Sequence, residues 1–229
     1  MKTRQLHFIK WCLRMGMLDP TLQYNSIDTT YNDSLEASLI DWFILGMYTG
    51  MRKSEWCQDR YLLQKNGQVL LNRDHSPSAF ILDDFQFEQA NGYQCNNNRL
   101  ASLHNVSLVE IRCRYQKNGN NGEILSFMCN TKNPSRCPVQ AALRIRDRAI
   151  RLGVPPHLPI AVFKNSKGYS QYVDDFHVTQ LLQFRAKQVY NITNSDDLAR
   201  FTTNSIRVGA CVLLHETNQT PDFIKARLR

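Results

Sequence analysis

Between residues 33 and 50 the apolar residues Leu35, Leu39, Trp42, Phe43 and Met47 recur at helical spacing and line one face of a helix. Asp33 or Ser34 stands at its start as an N-cap, and Thr49-Gly50 closes it, because glycine takes the left-handed conformation that ends helices. A second, short helix follows from Met51 to about Gln58. The rhythm then changes: Val69 to Leu71, and Ala79 to Leu82 running on toward Phe87, read as strands separated by Asn, Asp and Pro. Strict alternation of Val109, Ile111, Cys113 and Tyr115 with Glu110, Arg112 and Arg114 predicts a half-buried strand. The chain turns through Asn118-Gly-Asn-Asn-Gly122 and returns as Glu123 to Cys129, a hairpin with a five-residue tip.

Helical spacing resumes after Arg136-Cys137. Pro138 suits a first helical position, where the backbone amide lacks an intrahelical partner in any case, and Val139 to Leu152 follows with Val139, Ala142, Leu143, Ala149 and Ile150 on one face. The opposite face carries Arg144, Arg148 and Arg151, with Arg146 beside them. Such a row reads as a solvated face, with phosphate contact as the second reading. Pro155-Pro156 interrupts the chain, Ile160 to Phe163 is a short strand, Asp174 to Tyr190 a helix, and a last helical region starts near Asn204 and restarts at Thr220-Pro221. Helices around a small antiparallel sheet predict an α+β domain, mostly helical, over 33–229. Residues 1–32 make a separate helix, with Leu6, Ile9, Leu13 and Met17 on one face, and a polar linker.

Composition narrows the class. The 229 residues are 42% hydrophobic, which supports a core and excludes a disordered chain. With 28 Lys plus Arg against 20 Asp plus Glu the net charge is +8, which suggests an anionic partner. Nucleic acid ranks ahead of a membrane surface because no long apolar segment accompanies the charge, although charge alone does not separate such a protein from one that is merely basic. The seven cysteines form no C-x-x-C pair and no Cys/His cluster at zinc spacing, so they read as reduced thiols of an intracellular protein, with no metal implied.

Three stretches carry candidate chemistry: Tyr48-Thr-Gly-Met-Arg52-Lys-Ser-Glu55, the Lys117-Asn-Gly hairpin tip, and Phe201-Thr-Thr-Asn-Ser-Ile-Arg207-Val-Gly-Ala210. In this order and spacing they resemble the catalytic domain of the tyrosine recombinases, the phage integrase family. The likeness is strongest to transposon-encoded eukaryotic members, through Ser205-Ile-Arg-Val-Gly-Ala-Cys-Val-Leu-Leu-His-Glu216, and it covers about residues 33–229. The resemblance implies DNA integration and site-specific recombination by strand cleavage and rejoining. A tyrosine would attack a phosphodiester while two arginines, here Arg52 and Arg207, clamp the non-bridging oxygens. Guanidinium forks suit the charge that develops there. Glu55, three residues after Arg52, would orient it. Lys117 would protonate the leaving 5′-oxygen from its flexible stem. Lys53, Arg112 and Arg114 would add phosphate contacts. Implied partners are double-stranded DNA and, in a synaptic complex, further protomers; neither a membrane, a small-molecule substrate nor a cofactor is implied, and a eukaryotic member would be nuclear.

Two departures bear on activity. Family members usually carry histidine, sometimes lysine, where this chain has Asn204, whose amide donates a hydrogen bond but takes up no proton at neutral pH. The family's tryptophan or histidine and its nucleophilic tyrosine follow the second arginine, yet none of the nine tyrosines lies after Arg207 and the last tryptophan is Trp56. The expectation is a catalytic domain truncated before its nucleophile and inactive in cleavage. The alternative is a non-catalytic DNA-binding relic or regulator derived from a mobile element.

Overall fold

The computed structural model describes residues 33–57, 79–95, 105–115 and 121–228. The expected helix within 1–32, the strand Val69 to Leu71 and the hairpin tip with Lys117 lie outside them.

Helix α1 (Leu35–Thr49) is the centre of the architecture. The Ser34 hydroxyl accepts the amide of Ala37 at 3.3 Å, and Gly50, at φ 61°, closes the helix by donating its N–H to the Gly46 carbonyl at 2.8 Å. The sequence predicted burial of one face. Instead Ser38, Asp41, Gly46 and Thr49 are buried along with the apolar residues, because three other elements pack around the helix: α3 (Pro138–Arg151), α6 (Asn204–Glu216) and strand β5 (Val162–Lys164). Gly46 permits the close approach of α6, since a Cβ there would lie 2.7 Å from Ile206 Cγ2.

The short helix α2 (Lys53–Trp56) follows Gly50 directly. Trp56 anchors it by stacking on Trp42 of α1, ring centroids 5.2 Å apart, and Phe80 and Phe85 complete the cluster around Trp42. Stacked and edge-on rings of this kind favour one orientation as well as burial.

Strands β1 (Phe85–Gln89), β2 (Gln94–Cys95), β3 (Val106–Cys113) and β4 (Glu123–Met128) make an antiparallel sheet in the order β2-β1-β3-β4. The expected hairpin is present in register, Cys113 opposite Glu123 and Leu108 opposite Met128. The strand expected from Ala79 is displaced: Leu82–Asp84 is a single 3₁₀ turn and extended structure starts at Phe85. The cause is Asp84, whose Oδ2 accepts the Ile81 amide at 3.0 Å and so stabilises a local turn over a ladder.

A second hairpin pairs β5 with β6 (Ser170–Tyr172), a strand too polar and short to stand out in the sequence. Its turn is nonetheless encoded: Asn165 Oδ1 accepts the amides of Lys167 and Tyr169, each at 3.0 Å, and Gly168 takes φ 84°. Helices α4 (Asp175–Tyr190), α5 (Ser195–Leu198) and α7 (Pro221–Leu228) complete the described elements. Asp174 caps α4 by accepting the His177 amide at 2.9 Å. Helices and antiparallel strands thus form an α+β structure, with one apolar core running from α1 through the sheet to α3 and α4.

Candidate nucleic-acid interface

The row of arginines on α3 is not a solvated face. It faces the acidic residues of α1 and of the segment before it. Arg144 Nε reaches Asp41 Oδ1 at 2.6 Å, Arg148 Nη2 reaches Asp41 Oδ2 at 2.8 Å, and Arg151 Nη2 reaches Asp33 Oδ1 at 2.5 Å. The Asp41 side chain is fully buried and that of Arg148 is 4% exposed. Arg146 leans the other way, pairing with Asp147 at 3.0 Å and lying over the Phe87 ring of β1. Asp147 is held above the ordinary carboxylate range because burial outweighs the opposing pull of Arg146 and Arg151. The reading of this row from sequence is therefore corrected. Position along a helix revealed the shared face, but the carboxylates that meet it come from 103 and 107 residues away.

The residues singled out at Arg52 and Arg207 are brought to one end of α1. Gly50 ends that helix and Arg52 follows two residues later, immediately before α2. Glu55 is buried and accepts the Arg52 amide on Oε2 at 3.0 Å, while its Oε1 lies 3.7 Å from Arg52 Nη1. The carboxylate thereby fixes both the backbone and the guanidinium of Arg52. Arg207, one turn into α6, donates from Nη1 to the Gly50 carbonyl at 2.9 Å, a contact spanning 157 residues, and from Nη2 to the Leu228 carbonyl. Asn204 is exposed at the first turn of the same helix.

Leu228 was not foreseen as part of this corner. Its side chain occupies the space that a Cβ on Gly50 would need, and the preceding Arg227 lies over the Phe127 ring at 4.6 Å. The Thr-Gly pair before Arg52 was the available clue: Thr49 Oγ1 donates to Leu45 O at 2.9 Å and accepts the Met51 amide at 3.3 Å, shaping the turn that aims Arg52.

The three additional basic residues sit on carboxylates. Lys53 Nζ is 3.1 Å from Asp175 at the start of α4. Arg112 on β3 and Arg114 just after it both reach Asp84 Oδ1, at 3.3 and 3.2 Å. Asp84 is fully buried, whereas Arg112 keeps half of its side chain exposed. Lys117 lies outside the described residues.

Tyr48, beside Thr49, is raised above the usual phenol range by burial, against the effect of a hydrogen bond with Asn130. Among the described residues no group of three or more His, Cys, Asp or Glu is placed to hold a metal, and no helix is long and apolar enough to cross a membrane. No family model, curated protein or solved structure matches the chain.

Proposed function

We propose that the chain is a DNA-binding domain of the tyrosine-recombinase type, with Arg52 and Arg207 holding one phosphate of duplex DNA. The observation that carries this reading is the hydrogen bond from Arg207 to Gly50, which sets two arginine-bearing stretches 157 residues apart against one helix end. A rigid guanidinium from each stretch suits a tetrahedral anion approached from two sides. Glu55 orients Arg52, and the Asn204 amide, exposed on the same helix as Arg207, supplies a further donor to a phosphate oxygen. Lys117 at the β3–β4 turn would serve as the mobile cation at the leaving oxygen. Recombination and integration, the activities that the family resemblance implies, also require a tyrosine nucleophile, and these 229 residues have none after Arg207. They are therefore expected to bind without cutting.

A non-catalytic DNA-binding or regulatory role is the second reading, favoured by the hydrogen bond that commits Arg207 Nη2 to the Leu228 carbonyl. Titration of a labelled duplex at several salt concentrations tests both. Binding should weaken as salt rises, and Arg52→Ala and Arg207→Ala should each weaken it and lower the salt slope by about one. Substitutions that leave affinity and slope unchanged would sink the phosphate site. Neither reading predicts cutting, so a nicked suicide duplex challenges both: a covalent adduct that survives denaturation refutes the expectation of binding alone.

A further inference from the structure

The turn between β4 and α3 brings two thiols together. Cys129 Sγ and Cys137 Sγ are 3.6 Å apart, although eight positions separate them in the chain. Cys137 precedes the first residue of α3 and is fully buried, and its sulfur accepts the Asn130 amide at 3.1 Å. Cys129, just after β4, is half-buried. The backbone is held on both sides, by Cys129 N donating to Ser107 O at 2.7 Å and Ala141 N donating to Cys137 O at 3.0 Å. Both cysteines are free thiols here.

We propose that Cys129 and Cys137 are a redox modification site that closes to a reversible disulfide when a hydroperoxide supplies the oxidising equivalents. Closure needs the sulfurs to approach from 3.6 Å to roughly 2.0 Å, a movement of the size that side-chain rotation provides. The Cys129 thiolate attacks one oxygen of hydrogen peroxide, forming a sulfenic acid and releasing hydroxide, which takes up the thiol proton as water. The Cys137 thiolate then attacks the Cys129 sulfur, forming the S–S bond; its proton and the departing hydroxide leave as a second water. Two electrons from the sulfurs reduce one peroxide to two waters. Cys129 acts first because it is the more accessible of the pair.

Burial, reinforced by the neighbouring Cys137, pushes the Cys129 thiol up, so little thiolate is present at neutral pH. The bond should form slowly at pH 7 and about tenfold faster per pH unit while the pH remains below that pKa. The site does not depend on the proposed DNA-binding role. It also has a structural reach toward that corner, since Asn130, whose amide bonds Cys137, has a side-chain hydrogen bond with Tyr48 at the end of α1.

The test is peptide mapping of the folded chain after treatment with hydrogen peroxide, alkylation of remaining thiols and tryptic digestion. Cys129 falls in the fragment Asn118–Lys132 and Cys137 in Cys137–Arg144, so the disulfide joins two separate peptides. The expected result is that this linked pair forms at least tenfold faster in the folded chain than in urea and is lost on reduction. In Cys137→Ser the sulfenic acid should persist on Cys129 and be trapped by dimedone. Linked peptides no faster than in urea, or Cys129 carried to sulfinic acid with no link, would overturn the proposal. The wild-type map decides even if the serine variant does not fold.

Discussion

Arg207 and the row of arginines on α3 have opposite surroundings, with Arg52, beside the buried Glu55, between the two cases. On α3, Arg144, Arg148 and Arg151 meet the carboxylates of Asp41 and Asp33, with Asp41 fully buried. At the end of α1, Arg207 donates to the backbone carbonyls of Gly50 and Leu228, and Arg52 is positioned by Glu55. A buried carboxylate neutralises a guanidinium and fixes it in the fold, where removal of either partner strands a charge. A carbonyl satisfies a donor without cancelling the charge. The contrast teaches that a run of like charges indicates a function only after its partners are known. The conspicuous row on α3 belongs to the scaffold, while Arg207, which donates to carbonyls, is the better candidate, with Arg52 held near it by Glu55.

Substitutions can break this comparison, and the largest effect is expected at the buried pair. Arg148→Ala should cost about 2–3 kcal/mol by leaving the buried Asp41 carboxylate with Arg144 alone, read as a shift in the urea midpoint. DNA affinity of the remaining folded fraction should be unchanged. A loss below about 1 kcal/mol would mean that the row is not structural after all.

Gly46→Ala comes next, because its Cβ would lie 2.7 Å from Ile206 Cγ2 and force α6 away from α1. Such overpacking should lower stability by about 1–3 kcal/mol. It should also weaken duplex binding, since α6 carries Arg207; an unfolding midpoint and a binding titration on the same preparation separate the two effects.

Arg207→Ala should cost a smaller amount, about 1–2 kcal/mol, from two hydrogen bonds made by a charged donor. The comparison fails if this variant unfolds as readily as Arg148→Ala while binding DNA as well as wild type, for Arg207 would then be a scaffold arginine too.

The smallest effect is expected at Asp147, whose folded-state pKa is raised by burial. Above the ordinary value of 3.8 the folded chain binds more protons at this group than the unfolded chain, so its contribution to stability is greatest at low pH and declines as pH rises through the folded pKa. Asp147→Asn should therefore change stability by less than about 1 kcal/mol near pH 4, and should lose less stability than wild type as the pH rises to 7. Unfolding curves at several pH values give the difference directly. A wild-type advantage that grows with pH would show that Arg146 outweighs burial.

Legibility differed from element to element. Ser34, Gly50, Pro138 and Asp174 were readable as helix boundaries because each acts on its own neighbouring backbone. The β3–β4 pairing was readable from alternation plus an Asn/Gly turn. Strand β6 was not, since its order comes from pairing with β5 and its own residues are largely polar and exposed. The start of β1 was misplaced because Asp84 bonds the Ile81 amide, a choice between turn and strand that composition leaves open. In the candidate corner Arg52, Glu55 and Arg207 follow from the resemblance of their stretches to the tyrosine recombinases, whereas Leu228 and the partners Asp84 and Asp175 do not. A docked side chain and a distant carboxylate leave no periodic trace.

The sequence alone therefore determined the local grammar of this protein: its caps, its main hairpin, its α+β character and the stretches around Arg52 and Arg207. Tertiary structure decided which charges are neutralised. Helical and strand periodicities are short-range properties of the backbone, but the arginines that meet Asp84 and Asp41 come from 28 to 107 residues away along the chain. The cost of an unpartnered charge in that interior selects the partner.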